Sequence, residues 1–173
     1  MGGHAAEQLA LAADHCTRAA EGAWDGAWYR RGYYDDGRPL GSAESDECRI
    51  DAIAQAFAAL DTHADPGRVH TALTSAVEHL FDREHNVVRL FDPPITRRTP
   101  ETGYVRSYGA GLRENGGQYT HGALWLAMAL LRTGRTAEGA EILHAVLPAA
   151  HDPARYEGEP YVLCLLYTSP SPR

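Results

Sequence analysis

The 173-residue sequence contains no lysine: all 16 basic side chains are arginine, set against 23 acidic ones for a formal charge of −7. A net acidic chain with scattered arginines has no basic face for a polyphosphate backbone, so nucleic acid is not an expected partner. Long apolar runs are missing too. The longest, residues 123–131, falls far short of the roughly 20 residues that a membrane-spanning helix needs. The N-terminus also lacks the charged-then-apolar plan of a signal peptide. The expectation is a soluble chain with no direct membrane contact. Cysteine is scarce, and Cys16, Cys48 and Cys164 lie far apart with no Cys-x-x-Cys pair. That argues against a disulfide framework and a zinc knuckle alike and suits a reducing, cytoplasmic setting. The histidines show no metal-ligating spacing, so no metal is expected. No repeat of roughly 34 or 40 residues is visible, which counts against tetratricopeptide or armadillo arrays.

What the chain has in quantity is alanine, 28 residues of it, with 44% hydrophobic and only 9% aromatic content. That balance points to packed helices. Residues 5–20 read as a first helix. Residues 24–42 carry near-alternate aromatics around Asp36-Gly37, the pattern of two short strands and a turn. Ile50, Ile53, Phe57 and Leu60 then recur at helical spacing up to Asp65-Pro66. Val69, Leu73, Val77 and Leu80 mark the buried stripe of a second helix, so the two form an αα-hairpin. Helical periodicity disappears after Phe81 for almost forty residues, apart from a candidate strand at 87–91. It returns at 121–132, apolar enough to be buried on most sides, with Gly134 as a C-cap. A last helix spans 136–147. The fold class expected is all-α, αα-hairpins closing into a solenoid or a toroid, with a short β-hairpin and long loops that carry the site.

The densest polar cluster is Arg113-Glu114-Asn115-Gly116-Gly117-Gln118-Tyr119-Thr120-His121. Two glycines let the backbone turn tightly beside a ligand, and the following helix presents free N–H groups at its positive end. His121 there can donate to a phosphate or sugar oxygen, and Glu114 can accept from sugar hydroxyls or act as an acid or base. The plainer reading makes Asn115 the helix cap and leaves Glu114 and His121 solvated. A second cluster, Asp46-Glu47-Cys48-Arg49-Ile50-Asp51, supplies Asp46, Glu47 and Arg49 either as site residues or as charges that favour a helix start. Trp24, Trp28, Tyr29, Tyr33 and Tyr34 with Asp25, Asp35 and Asp36 offer the flat faces and carboxylates that sugar sites use, although such aromatics more often fill a core. His144 and His151 read as solvated.

The segments 24–31, 35–42, 46–51 and 113–121, with Glu159-Pro160-Tyr161-Val162, together resemble glycoside hydrolase family 94. Members of that family include cellobiose and chitobiose phosphorylases and the C-terminal part of cyclic β-1,2-glucan synthases, to which the resemblance is strongest. It implies an (α/α)6 barrel, of which residues 1–163 would form part. It also implies inverting phosphorolysis of a β-glucoside, such as a β-1,2-glucan or β-linked disaccharide, to α-glucose 1-phosphate. Inorganic phosphate is then a co-substrate and no cofactor is needed. His121 matches the family's phosphate-contacting His, and Glu114 a Glu at the sugar site, with Arg113 and Gln118 expected as further substrate-binding residues. The family's general acid, an Asp in a Gly-Asp-Trp-Asn-Asp-like motif, has no counterpart in this sequence, and neither has its phosphate-binding Thr-Gly pair. No catalytic residue is therefore expected in the chain itself, which would be inactive alone and completed by the rest of its parent domain. That parent could be an inner-membrane-associated synthase with this part in the cytoplasm. Residues 164–173 depart from the family pattern and resemble translated read-through, so they are expected to be a non-native tail. Two other readings stay open: a toroidal glycosidase in which water replaces phosphate, with Glu47, Asp46 or Glu114 as the second carboxylate, and a non-catalytic carbohydrate-binding or scaffold module.

Overall fold

A computed structural model describes residues 2–97, 102–152 and 166–167. The long first helix, α1 (Gly2–Ala23), leads into a hairpin of β1 (Gly32–Tyr33) and β2 (Pro39–Leu40), paired Gly32 to Leu40 and Tyr33 to Pro39. The turn is the Asp-Gly turn expected, with Gly37 at φ 82°, where a Cβ would be strained. Tyr29 and Trp28 are buried beneath it. The Trp28 indole N–H donates to the carbonyls of Gly41 (3.0 Å) and Arg49 (2.9 Å), which pins the hairpin to the strand that follows.

That strand, β3 (Ile50–Asp51), corrects the sequence reading, which had Ile50 inside a helix. The reason lies in Asp51: its Oδ1 accepts from the N–H groups of Ile53 (2.8 Å) and Ala54 (3.1 Å), so it caps α2 (Ala52–Leu60) and leaves Ile50 outside. The buried stripe of α2 is correspondingly Ala52, Gln55 and Ala56, while Phe57 stays 52% exposed. Gln55 is fully buried and clamps Tyr29, accepting from its N–H (2.8 Å) and donating to its carbonyl (2.9 Å).

Helix α3 (Pro66–Leu80) follows the expected pattern, with Pro66 in the first turn and Val69, Leu73, Val77 and Leu80 all buried, and the Asp65 side chain caps it by accepting from Arg68 N–H. Next, β4 (Phe81–Asp82) pairs with β5 (Val87–Val88), and β6 (Phe91–Asp92) returns to pair antiparallel with β3. A short 3-10 turn, Gly103–Ser107, precedes β7 (Gln118–Tyr119), whose partner is β8 (Leu166–Tyr167). Helices α4 (Thr120–Arg132) and α5 (Thr136–Ala145) pack on each other, and α4 also packs against α2. Gly134, at φ 83°, ends α4 as expected. The expectation that α4 is buried on most sides fails for one strip: Met128 is 42% and Leu131 38% exposed, because the buried face is Leu126, Ala127, Ala129 and Leu130. The shared core joins Leu73, Leu80, Leu126, Leu130, Ile142 and Val88.

Helices thus dominate, as expected of an all-α class, but short paired strands stitch the loops together, and among the described residues the helices do not close into a barrel. No described helix is long and apolar enough to cross a membrane. The expected non-native tail at 164–173 lies outside the described residues, apart from the backbone of β8, and so does the segment 159–162.

Candidate functional site

The polar loop before α4 is held rigid by Asn115. Its side chain is fully buried and bridges two stretches of backbone: Oδ1 accepts from Ile95 N–H (2.7 Å), and Nδ2 donates to the carbonyls of Ile95 and Tyr108 (2.8 Å each). Asn115 is therefore a loop clamp and no helix cap; the cap position of α4 belongs to Tyr119, which makes no side-chain capping bond. On either side the backbone turns through left-handed conformations, Arg113 at φ 49° and Gly116 at φ 78°. A Cβ on Gly116 would lie 2.9 Å from Pro94 Cγ and 3.2 Å from the Phe91 carbonyl oxygen, so only glycine fits.

This frame turns Glu114 toward a cavity of about 570 Å³. Its walls include Arg31, Tyr34, Asp35, Asp51, Tyr104 and Glu114. The Oε2 atom of Glu114 is buried, 3.8 Å from Arg113 Nε, and accepts no hydrogen bond among the described residues; the Thr102 hydroxyl on the same cavity is likewise buried with no hydrogen-bond partner among them. Unspent acceptors beside tyrosine faces suit a ligand rich in hydroxyl groups. Asp51 and Arg31, which the sequence reading did not assign, stand in the same cavity, with Asp51 Oδ2 3.8 Å from Arg31 Nε. Burial pushes the Asp51 carboxyl up, opposed by the Arg31 charge and by the two backbone N–H groups it caps. The only sequence signal for Asp51 was its place at the end of the polar run 46–51, where the spacing of Ile50 and Ile53 reads as helix. Cys48 also lines the cavity, but its thiol is buried and pushed up by desolvation and by the nearby Asp51 charge, so it is inert.

The other sequence-derived candidates are dispersed. His121 is exposed in the first turn of α4, its ring 5.5 Å from that of Tyr119 and 6.1 Å from that of Trp125. Tyr119 lines the Glu114 cavity and so links the two. Arg113 folds outward over the Tyr108 ring, 4.9 Å from its centre. Gln118 is fully buried behind the loop, its Oε1 accepting from Val88 N–H (2.8 Å), and its Nε2 has no partner among the described residues. Asp46 and Glu47 line a separate, smaller cavity. Asp46 pairs with the Arg97 guanidinium, and Glu47 Oε1 accepts from the Thr96 N–H (2.8 Å), the Thr96 hydroxyl (2.5 Å) and the Arg97 N–H (3.0 Å). Burial works against the Glu47 charge, yet these donors outweigh it and hold the carboxyl below its ordinary range. Arg49 donates to the Ala43 carbonyl (2.9 Å). Asp25 pairs with Arg30 and accepts from the Ser42 hydroxyl (3.1 Å) and Ala43 N–H (2.6 Å), and Trp24 packs edge-on against Tyr29. Trp24, Asp25 and Arg49 thus frame the hairpin at a remove from the cavity. His151 is buried, against its reading as solvated, and burial lowers its pKa. No group of three or more potential metal ligands occurs among the described residues.

The glycosyl hydrolase 94 superfamily catalytic domain matches residues 3–170 of this sequence. The cyclic beta-(1,2)-glucan synthase NdvB of Rhizobium meliloti (strain 1021) is 44% identical over 145 residues, 81% of this chain and 5% of its own length. The 3-O-beta-D-glucopyranosyl-beta-D-glucuronide phosphorylase of Paenibacillus borealis is 32% identical over 148 residues, 85% of this chain and 19% of its own length. The cellobionic acid phosphorylase of Neurospora crassa is 30% identical over 149 residues, again 85% of this chain and 19% of its own length. The chain therefore spans between a twentieth and a fifth of these relatives.

Proposed function

Because the chain belongs to the glycosyl hydrolase 94 superfamily, as part of its catalytic domain, we propose that it forms one wall of the sugar and phosphate site of an inverting β-glucoside phosphorylase, with a β-1,2-glucan as the favoured substrate. An oxygen of inorganic phosphate bonds to the anomeric carbon while the glycosidic C–O bond breaks, and a carboxylic acid gives its proton to the leaving oxygen. The products are α-glucose 1-phosphate and a glucan shorter by one unit. Phosphate stands where an inverting glycosidase holds its activated water. No cofactor enters this balance.

In this reading Glu114 accepts hydrogen bonds from sugar hydroxyls and His121 contacts phosphate, with Arg113 and Gln118 shaping and bracing the loop between them. The general acid comes from a part of the domain bearing a Trp-Asn-Asp motif, which this sequence does not contain, so the 173 residues alone are inactive. Closure of the helices into an (α/α)6 toroid needs the same additional part. The setting is cytoplasmic. The observation that carries the proposal is the buried Oε2 of Glu114, which accepts no hydrogen bond among the described residues, in a cavity of tyrosine faces and carboxylates.

The test is a split in kinetics of the full-length protein. Glu114→Gln should impair use of the glucoside, and His121→Ala should raise the phosphate KM while leaving the glucoside KM near its original value. Unchanged phosphate dependence in His121→Ala would remove the phosphate role, and turnover without phosphate would remove phosphorolysis itself.

A further inference from the structure

Arg31 stands out among the arginines of the molecule. Its backbone is fixed twice: its N–H donates to the Leu40 carbonyl (2.8 Å), and Gly41 lies so close that a Cβ there would sit 2.6 Å from the Arg31 nitrogen. Its side chain, 43% exposed, reaches the Glu114 cavity. The guanidinium faces Asp51 Oδ2 at 3.8 Å, too far for a hydrogen bond, and donates no hydrogen bond to any described residue. Asp51 itself is immobile, because Oδ1 caps α2 and its backbone carbonyl accepts from Gln55 Nε2 (2.9 Å). One wall of the cavity thus carries the N–H donors of Arg31 beside Asp51, and the same cavity carries the Glu114 and Thr102 oxygens, which have no hydrogen-bond partner among the described residues.

The charge balance decides what these donors meet. Asp35 and Glu114, besides the buried Asp51, line the cavity against the single guanidinium of Arg31. A surplus of carboxylates repels a phosphate or a sugar acid and favours a neutral ligand that both accepts from Arg31 and donates to Glu114, as a pyranose does. We propose that Arg31 is a glucoside-binding residue of the Glu114 cavity and that Asp51 is the positioning residue that aims it. This rests on the sugar-site reading of Glu114 given above, and it assigns Arg31 to the sugar and not to phosphate.

The test measures binding to the full-length protein by calorimetry, with glucose, a β-1,2-linked glucose disaccharide and inorganic phosphate as probes. Arg31→Gln should weaken disaccharide binding about 10-fold or more, the worth of a charged hydrogen bond, and leave phosphate binding within about twofold. Asp51→Asn keeps the helix cap, since Asn caps as well as Asp, but turns an amide NH2 in place of a carboxyl oxygen toward Arg31. It should weaken the disaccharide by a smaller factor, and the Arg31→Gln/Asp51→Asn double variant should bind no more weakly than Arg31→Gln alone. Should the Asn variant fold poorly, Asp51→Ser preserves the cap by another side chain. Sugar binding that survives Arg31→Gln, a loss confined to phosphate, or factors that multiply in the double variant would each overturn the proposal. Arg31-dependent sugar binding without phosphate-dependent turnover would support this assignment while overturning phosphorolysis.

Discussion

Replacing Asn115 tests whether the Glu114 loop is held as described. Asn115→Ala removes three hydrogen bonds at once and leaves the Ile95 N–H, the Ile95 carbonyl and the Tyr108 carbonyl without those partners in a buried site. Orphaning a buried polar group costs about 1–3 kcal/mol. Three such groups, partly rescued by water in the space left behind, should cost roughly 3–5 kcal/mol. For a protein of this size each kcal/mol lowers Tm by roughly 2–4 °C, so a fall on the order of 10 °C is expected. Asn115→Asp should be no better: it retains the acceptor for Ile95 N–H but turns a charged oxygen toward two carbonyls. The assay is urea unfolding of both variants, with amide exchange at Ile95 read alongside. A loss below about 1 kcal/mol, or an aspartate variant as stable as the original, would refute the clamp.

Three further outcomes follow from the same contacts. Gly116→Ala forces a side chain onto φ 78° and against Pro94, which should cost roughly 2–4 kcal/mol; urea midpoints check it, and a neutral substitution would contradict the close approach. Glu47→Gln should destabilise at neutral pH, because the folded carboxyl lies below its unfolded value. That stabilisation is present above the unfolded pKa of about 4.3 and is lost as pH falls through the folded one, so the gap between variant and parent should close in acid, and a gap that widens there would reverse the sign. Cys48, isolated by replacing Cys16 and Cys164 with serine, should react with a thiol reagent only as fast as the protein opens, given its burial and raised pKa; rapid labelling of the native protein would refute this.

Elements whose signals are local were legible in the sequence. The break at Asp65-Pro66, the stripe from Val69 to Leu80, the Gly37 turn and the Gly134 stop each depend on neighbours within a turn or two, and each stands where expected. What escaped depends on distant chain. Ile50 reads as helical by its spacing to Ile53 and Phe57, yet it pairs with Asp92, a partner no periodicity can reveal. Asn115 sits where a cap belongs, and only contact with Ile95 and Tyr108 makes it a clamp. The candidate site divides in the same way. Glu114 and His121 stood out as polar residues around a Gly-Gly step, but Arg31 and Asp51 lie far from Glu114 in sequence, and only the folded cavity brings them to it. Conversely, Asp25, Asp46 and Glu47 looked equally suited to a sugar and are engaged in holding loops together.

If the Glu114 cavity serves an inverting phosphorylase, proton NMR of the full-length protein acting on β-1,2-glucan, with and without inorganic phosphate, should show product only with phosphate. That product should first appear as α-glucose 1-phosphate. Free glucose released at the same rate without phosphate, or a β-configured phosphate ester as first product, would contradict this reading.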